Sequence, residues 1–217
     1  MIPLRTPGAV MPVEATDPAG DAPPVRVPPS QTSATTLADR ARAAGLAVLA
    51  ASAWPESPAD ATPPALAGFV NSSFSPLAAE IARRCLDRRA HATTGMAEAA
   101  SPRTAVIIAS ALGDLAGARQ VAQAVDAGAR VGPLLFFQCV PNAVAGHIAA
   151  QSGLVGPVVC LGEERSAFDV AGLLIEDADA DEVLLIRVDQ AAGAHDRDRA
   201  EAVLLAAGAP AHERSRA

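Results

Sequence analysis

Residues 140–159 read VPNAVAGHIAAQSGLVGPVV, from Val140 to Val159, and this stretch decides how the rest of the chain is parsed. It contains a helix, a stop and a strand in that order. Asn142 is placed to cap a helix, and Ala143, Ala145, Ala149 and Ala150 are the residue type that loses least side-chain entropy in one. Gly153 can adopt the left-handed conformation that ends a helix. Pro157 to Leu161 is then a short, continuously apolar run of strand length.

Working outward, the same alternation continues in both directions. Downstream, Glu163 to Ile175 has helical periodicity, and Glu182 to Val188 (EVLLIRV) reads as a strand. Upstream, Pro133 to Val140 reads as extended, Asp114 to Ala127 as a helix after Gly113, and Thr104 to Ser110 (TAVIIAS) as a buried strand. Ser75-Pro76 offers a serine N-cap with proline at the first helical position, opening a helix to about Arg89 with Leu77, Ile81, Cys85 and Leu86 on one stripe. Leu46 to Ala53 is a further strand-length run, and Thr36 to Ala44 carries a short helical pattern. Continuously apolar strands between helices predict an α/β fold with a mixed, mostly parallel five-stranded sheet and helices on both faces. The expected organisation is a disordered Pro/Ala-rich leader over 1–43, one domain over 44–190, and a polar, then Ala-rich tail over 191–217 that adds a helix or stays loose.

Composition narrows the function. The 217 residues carry a net charge of −7, and all seventeen basic residues are arginine. No basic stretch with interleaved aromatics is present, which argues against a nucleic-acid partner. Arg83, Arg84, Arg88 and Arg89 are read as the solvated face of a helix. The three cysteines, Cys85, Cys139 and Cys160, are widely spaced and form no metal box with the four histidines. No cofactor or metal is expected. No apolar run is long enough to span a membrane, so a cytoplasmic protein is expected. The G-x-G-x-x-G, G-x-x-x-x-G-K-[ST] and G-x-S-x-G signatures are missing.

The central motif resembles the stretch that precedes the nucleophile in β-ketoacyl synthases, which have a V-P-N-x-x-A-G-H-I helix, an L-x-G-P turn and a buried strand. Ser75-Pro76-Leu77 is similar to that family's early helix start, Val106 to Gly113 to its second strand and glycine turn, and Asp181 to Asp189 to the strand closing the N-terminal half. The resemblance covers roughly residues 45 to 190. It implies a thiolase-like half-fold.

The resemblance also marks a defect. The family's catalytic cysteine lies eight residues beyond the proline of the turn; counted from Pro157, that position holds Arg165. A guanidinium stays protonated and cannot attack a thioester. Cys160 falls too early, inside the strand, and reads as a small buried hydrophobe. His147 reads as a structural helix residue, because the family's catalytic histidines belong to its second half. Condensation needs both the thiolate and those histidines, so the reading leans away from an enzyme.

What the resemblance implies instead is a non-catalytic partner subunit, similar to chain length factors and to a short family comprising their N-terminal domain alone. Such a subunit would pair with an active ketosynthase and meet an acyl carrier protein, in polyketide, aryl-polyene or fatty-acid-type assembly. It would complete a dimer and shape the acyl channel, with Phe136, Phe137, Gln138, Cys139, Asn142 and Gly146 as channel or interface candidates. The alternative is a homodimeric scaffold that binds acyl chains or carrier protein. A third reading, an enzyme of other chemistry using Glu163, Glu164, Arg165 and Asp169, competes with a plainer one. In that account the acids complement a helix dipole and Arg165 pairs with Asp169 at i,i+4 spacing.

Overall fold

Strands β1 (Ala47–Trp54), β2 (Thr104–Ala109), β3 (Val158–Leu161), β4 (Glu182–Asp189) and β5 (Arg199–Ala206) form one sheet in the order β1-β5-β4-β2-β3. The computed structural model describes residues 35–93, 101–193 and 196–208. β2 pairs in parallel with β3 and β4, whereas β5 is antiparallel to β4 and β1. Six helices accompany the sheet: α1 (Leu37–Ala43), α2 (Phe74–Thr93), α3 (Leu115–Asp126), α4 (Pro133–Gln138), α5 (Pro141–Ser152) and α6 (Glu164–Glu176). This is the expected α/β class.

The strand alternation explains the layers. In β2, Val106 and Ile108 face one core with α2 and α5, where Leu77, Ile81, Val144 and Ile148 meet them. Ala105, Ile107 and Ala109 face the other core, which α1 and α6 close with Leu37, Ala41, Phe168 and Ala171. β4 divides in the same way, with Leu184 and Ile186 against Val183 and Leu185. All six residues of β2 are buried. Each fully buried leucine or isoleucine contributes roughly 1.5–3 kcal/mol over an exposed one, so the two-sided strands hold the layers together.

Several expectations need correction. Residues 1–34 of the expected leader lie outside the described residues, but its last part, α1, is helical and packed. Thr36 caps α1 in a reciprocal box with Asp39, and Leu37 is fully buried. The tail expectation fails too, because β5 is a sheet strand paired with β4 from Val183↔Leu205 to Asp189↔Arg199. The described domain therefore extends past both 44 and 190. Pro133 to Val140 is not extended: Gly132 is the N-cap of α4, Pro133 occupies the first turn, and Cys139 N–H returns to the Leu135 carbonyl at 3.2 Å. Asn142 does not cap α5; Val140 holds that place with Pro141 after it. α2 opens one turn-step earlier than Ser75, at Phe74, whose N–H donates to the Ser72 hydroxyl at 3.1 Å.

The arginine row on α2 is more than a solvated face. Arg84 stacks over Trp54 at 4.8 Å and bonds Asp60 and Glu80, each at 2.8 Å. Its hydrogen bonds hold the Asp60 carboxyl well below the usual carboxylate range. Arg89 reaches Glu182 at 2.9 Å.

The two sheet edges are treated differently. On β1, Arg88 donates to the Ala51 carbonyl at 2.6 Å and the Ala53 N–H donates to Glu56 at 2.9 Å. Outward backbone groups of that edge are thereby satisfied by charged side chains, which discourages further strand pairing. β3 pairs with β2 alone, and Val158 beside its start is 39% exposed. Among the described residues no second strand pairs with it.

Two glycines make a paired prediction. A Cβ at Gly156 would lie 2.5 Å from the Ala105 nitrogen, whereas at Gly146 it would meet nothing within 4 Å. Gly156→Ala should destabilise the protein by about 1–3 kcal/mol. Gly146→Ala should be neutral or stabilise by up to about 1 kcal/mol. Urea denaturation measures both, and equal midpoints for the two variants would contradict the packing described.

Candidate functional site

α4 and α5 form a short helical corner beside the C-terminal ends of β2 and β3. The turn between them is tight because Cys139 caps α4 while Val140 already serves as N-cap of α5. The corner sorts the six sequence candidates by orientation. Phe136 and Phe137 point outward, 70% and 55% exposed, with Leu134 and Val140 also exposed near them. Gln138 points inward, buried, and accepts from the Asn71 side-chain amide at 2.6 Å. Cys139 is half-buried, and Asn142 and Gly146 lie on the outer face of α5 with Ala150. Four candidates thus lie on outward faces of the corner, while Gln138 belongs to the interior.

That surface is backed by aromatic rings. Phe69, which is buried, has its ring 6.4 Å from Phe137 and 5.6 Å from His147 in an edge-on arrangement. His147 therefore contacts a ring in the helix layer, in line with a structural role.

The position at which the sequence resemblance puts a nucleophile is the second expected part of the site. β3 ends at Leu161, Gly162 follows, and α6 begins at Glu164 with Glu163 as an N-cap that makes no side-chain cap bond. Arg165 is exposed in the first turn and has no ion pair among the described residues, so the expected bond to Asp169 is not formed. Glu164 is drawn away from it into a separate network: it pairs with Arg40 on α1 and, at 3.3 Å, with Arg187 on β4. Glu201 on β5 joins both arginines, at 3.4 and 3.5 Å, and Asp189 meets Arg187 at 2.6 Å. Glu163, Glu164, Arg165 and Asp169 therefore do not converge on one point, and the acid–base reading of that group loses its geometry. No three metal-binding side chains lie together among the described residues.

A cleft of about 210 Å³ opens where β2 and β3 end, lined by Ile108, Ser110, Pro141, Cys160, Leu161 and Gly162. Cys160 is its one thiol, partly buried in β3, and burial pushes its pKa up to about 11. Cys85 is buried and pushed up to about 12 by the same cause. Burial and the Asp114 carboxylate both raise the Cys139 thiol. None of the three is an activated nucleophile, since each environment disfavours the thiolate.

Sequence reasoning missed a polar group beneath the corner. Asp114, the N-cap of α3, is buried and accepts from Gly117 N–H at 2.9 Å and from the Ser72 hydroxyl. Gln190 donates to Ser72 at 3.1 Å and to Ser73 at 2.9 Å. No pattern marks these residues, because the Gln190–Ser72 contact joins positions 118 apart.

Comparison with known proteins places the fold. No family model matches the chain, and no curated protein matches it. Solved structures do. A ketosynthase in complex with its chain length factor from Xenorhabdus doucetiae is 20% identical, with a TM-score of 0.49 over 64% of this chain and 59% of that one. The ishigamide ketosynthase/chain length factor is 19% identical, with a TM-score of 0.50 over 65% of this chain and 45% of that one. A β-ketoacyl synthase from Burkholderia phymatum is 15% identical, at 0.48 over 66% and 44%. The chain spans about half the length of these structures. It has a ketosynthase-type, thiolase-like α/β fold.

The thiol environments give a direct test. With a pKa near 11, Cys160 is thiolate on the order of one part in a thousand at pH 8. Iodoacetamide at pH 8 should label Cys160 and Cys85 far more slowly than free cysteine, and readily only after unfolding. Peptide mass spectrometry reads this, and rapid native-state alkylation of Cys160 would contradict the description.

Proposed function

We propose that this chain is a non-catalytic subunit that pairs with an active ketosynthase of like fold and shapes the acyl channel at their seam. The observation that carries the reading is the pairing of two features on one domain. The nucleophile position holds an exposed Arg165, and an outward apolar corner stands beside an unpaired sheet edge. Phe136, Phe137, Leu134 and Val140 are exposed together on α4 and after it, and beyond the other end of α5 Val155 and Val158, the first residue of β3, are 74% and 39% exposed. Soluble monomers rarely keep grouped large apolar side chains in water, and such groups mark interaction surfaces.

The neighbouring outer face of α5 fits the same use. Asn142, Gly146 and Ala150 recur every four residues, are exposed, and leave open space at Gly146. Small side chains at that spacing let another helix approach closely. The ishigamide ketosynthase/chain length factor has a like fold, which supports a synthase as the partner, and an acyl carrier protein is proposed to meet the pair. No described helix is long and apolar enough to cross a membrane. The pathway class is polyketide, aryl-polyene or fatty-acid-type assembly.

Two experiments test the proposal. The tagged chain, co-expressed with full-length ketosynthases of its own organism, should purify as a stoichiometric complex whose mass is read by light scattering. A stable homodimer that captures no synthase would instead support a self-paired acyl- or carrier-binding scaffold and overturn this reading. In the complex, Phe137→Ala should lengthen the products and Phe137→Trp shorten them, by mass spectrometry of released chains. Unchanged lengths in both variants would remove Phe137 from the channel.

A further inference from the structure

α4 has only six residues, far too few for a helix to be stable alone in water. Its most exposed side chains are apolar, so packing of its own outer face does not hold it either. What fixes it must come from beneath. Three contacts do so, and each leads to the segment 69–73 or to the start of α3. Phe137 lies against the Phe69 ring, Gln138 accepts from Asn71, and Cys139 sits over Gly117, where a Cβ would come within 2.6 Å of its sulfur.

Segment 69–73 is in turn held from the other side of the fold. The Gln190 side chain, just past β4, donates from one amide nitrogen to both the Ser72 and Ser73 hydroxyls, and its oxygen accepts from the Ala116 N–H at 3.1 Å. The Ser72 hydroxyl donates in turn to the carboxylate of Asp114, which caps α3. One side chain therefore ties together the two supports on which α4 rests.

We infer that Gln190 is a positioning residue for the outward surface of α4, acting through Ser72, Ser73 and the start of α3. This rests on the reading of that surface as the partner-facing one. The coupling itself is a property of the isolated chain and is measured without any partner.

The test is amide hydrogen exchange on the full chain. In Gln190→Ala, exchange at residues 135–140 should quicken about tenfold, the effect of losing roughly one buried hydrogen-bonded connection. Exchange in β2 should stay as in the unaltered protein, which separates this local effect from a general loss of stability. Gln190→Glu keeps the acceptor oxygen and removes both donors, so it should quicken α4 as well. Unaltered exchange in α4 alongside a protected β2 would overturn the inference. If Gln190→Ala does not fold, the unaltered protein decides the matter at low urea. There α4 and residues 69–73 should open as one unit with a common urea dependence, and independent opening would refute the coupling. Failure to bind a synthase, with the coupling intact, would count only against the proposed function.

Discussion

Two adjacent parallel strands, β2 and β4, are buried on both faces, and the arrangement of everything else follows from that. Their register, Val106↔Leu184 and Ile107↔Leu185, aligns side chains of the same parity. Each face then presents a continuous apolar layer that must be covered. α2 and α5 cover one face and α1 and α6 the other. Because the strands are parallel, their C-terminal ends fall together, and the loops leaving them meet at one end of the sheet. In open α/β sheets that end is where sites are built. Here it holds Arg165, the cleft at Cys160, the α4–α5 corner and the polar group around Gln190.

Charges at that end tie the elements of the domain to one another. Arg40 and Arg187 share Glu164 and Glu201, so α1, α6, β4 and β5 are tied by one network. These side chains are a fifth to a third exposed, and ion pairs of that kind contribute modestly one by one. The same network removes Glu164 from the vicinity of Arg165. The first turn of α6 is left with the exposed guanidinium of Arg165.

Sequence reading succeeded where burial leaves a simple pattern. TAVIIAS and EVLLIRV are runs that only two-sided burial explains, and the alanine-rich helix ending at Gly153 needs no tertiary information, since Gly153 adopts a φ of 65°. It failed where contacts decide. Pro133 to Gln138 (PLLFFQ) is apolar without a break up to Gln138, and a helix of six residues, fewer than two turns, is too short to display a period. β5 begins Arg199-Ala200-Glu201-Ala202, with no β-branched residue, and is extended because β4 and β1 flank it. Asn142 followed the usual capping rule, but Pro141 moved the start of α5 to Val140. The site was legible only in part. Phe136, Phe137, Asn142 and Gly146, expected at a channel or interface, are exposed, while Gln138 faces the interior and Gln190 was not singled out.

On the proposed function, the α4–α5 corner and the edge of β3 are the face this chain offers to a synthase. Hydrogen exchange compared between the free chain and its complex with a ketosynthase addresses that face directly. Exchange in the complex should slow at residues 134–146 and 158–161, with α1 and the outer side of α6 unchanged. Protection confined to α1 and α6, or none at the corner and β3, would contradict the proposed function.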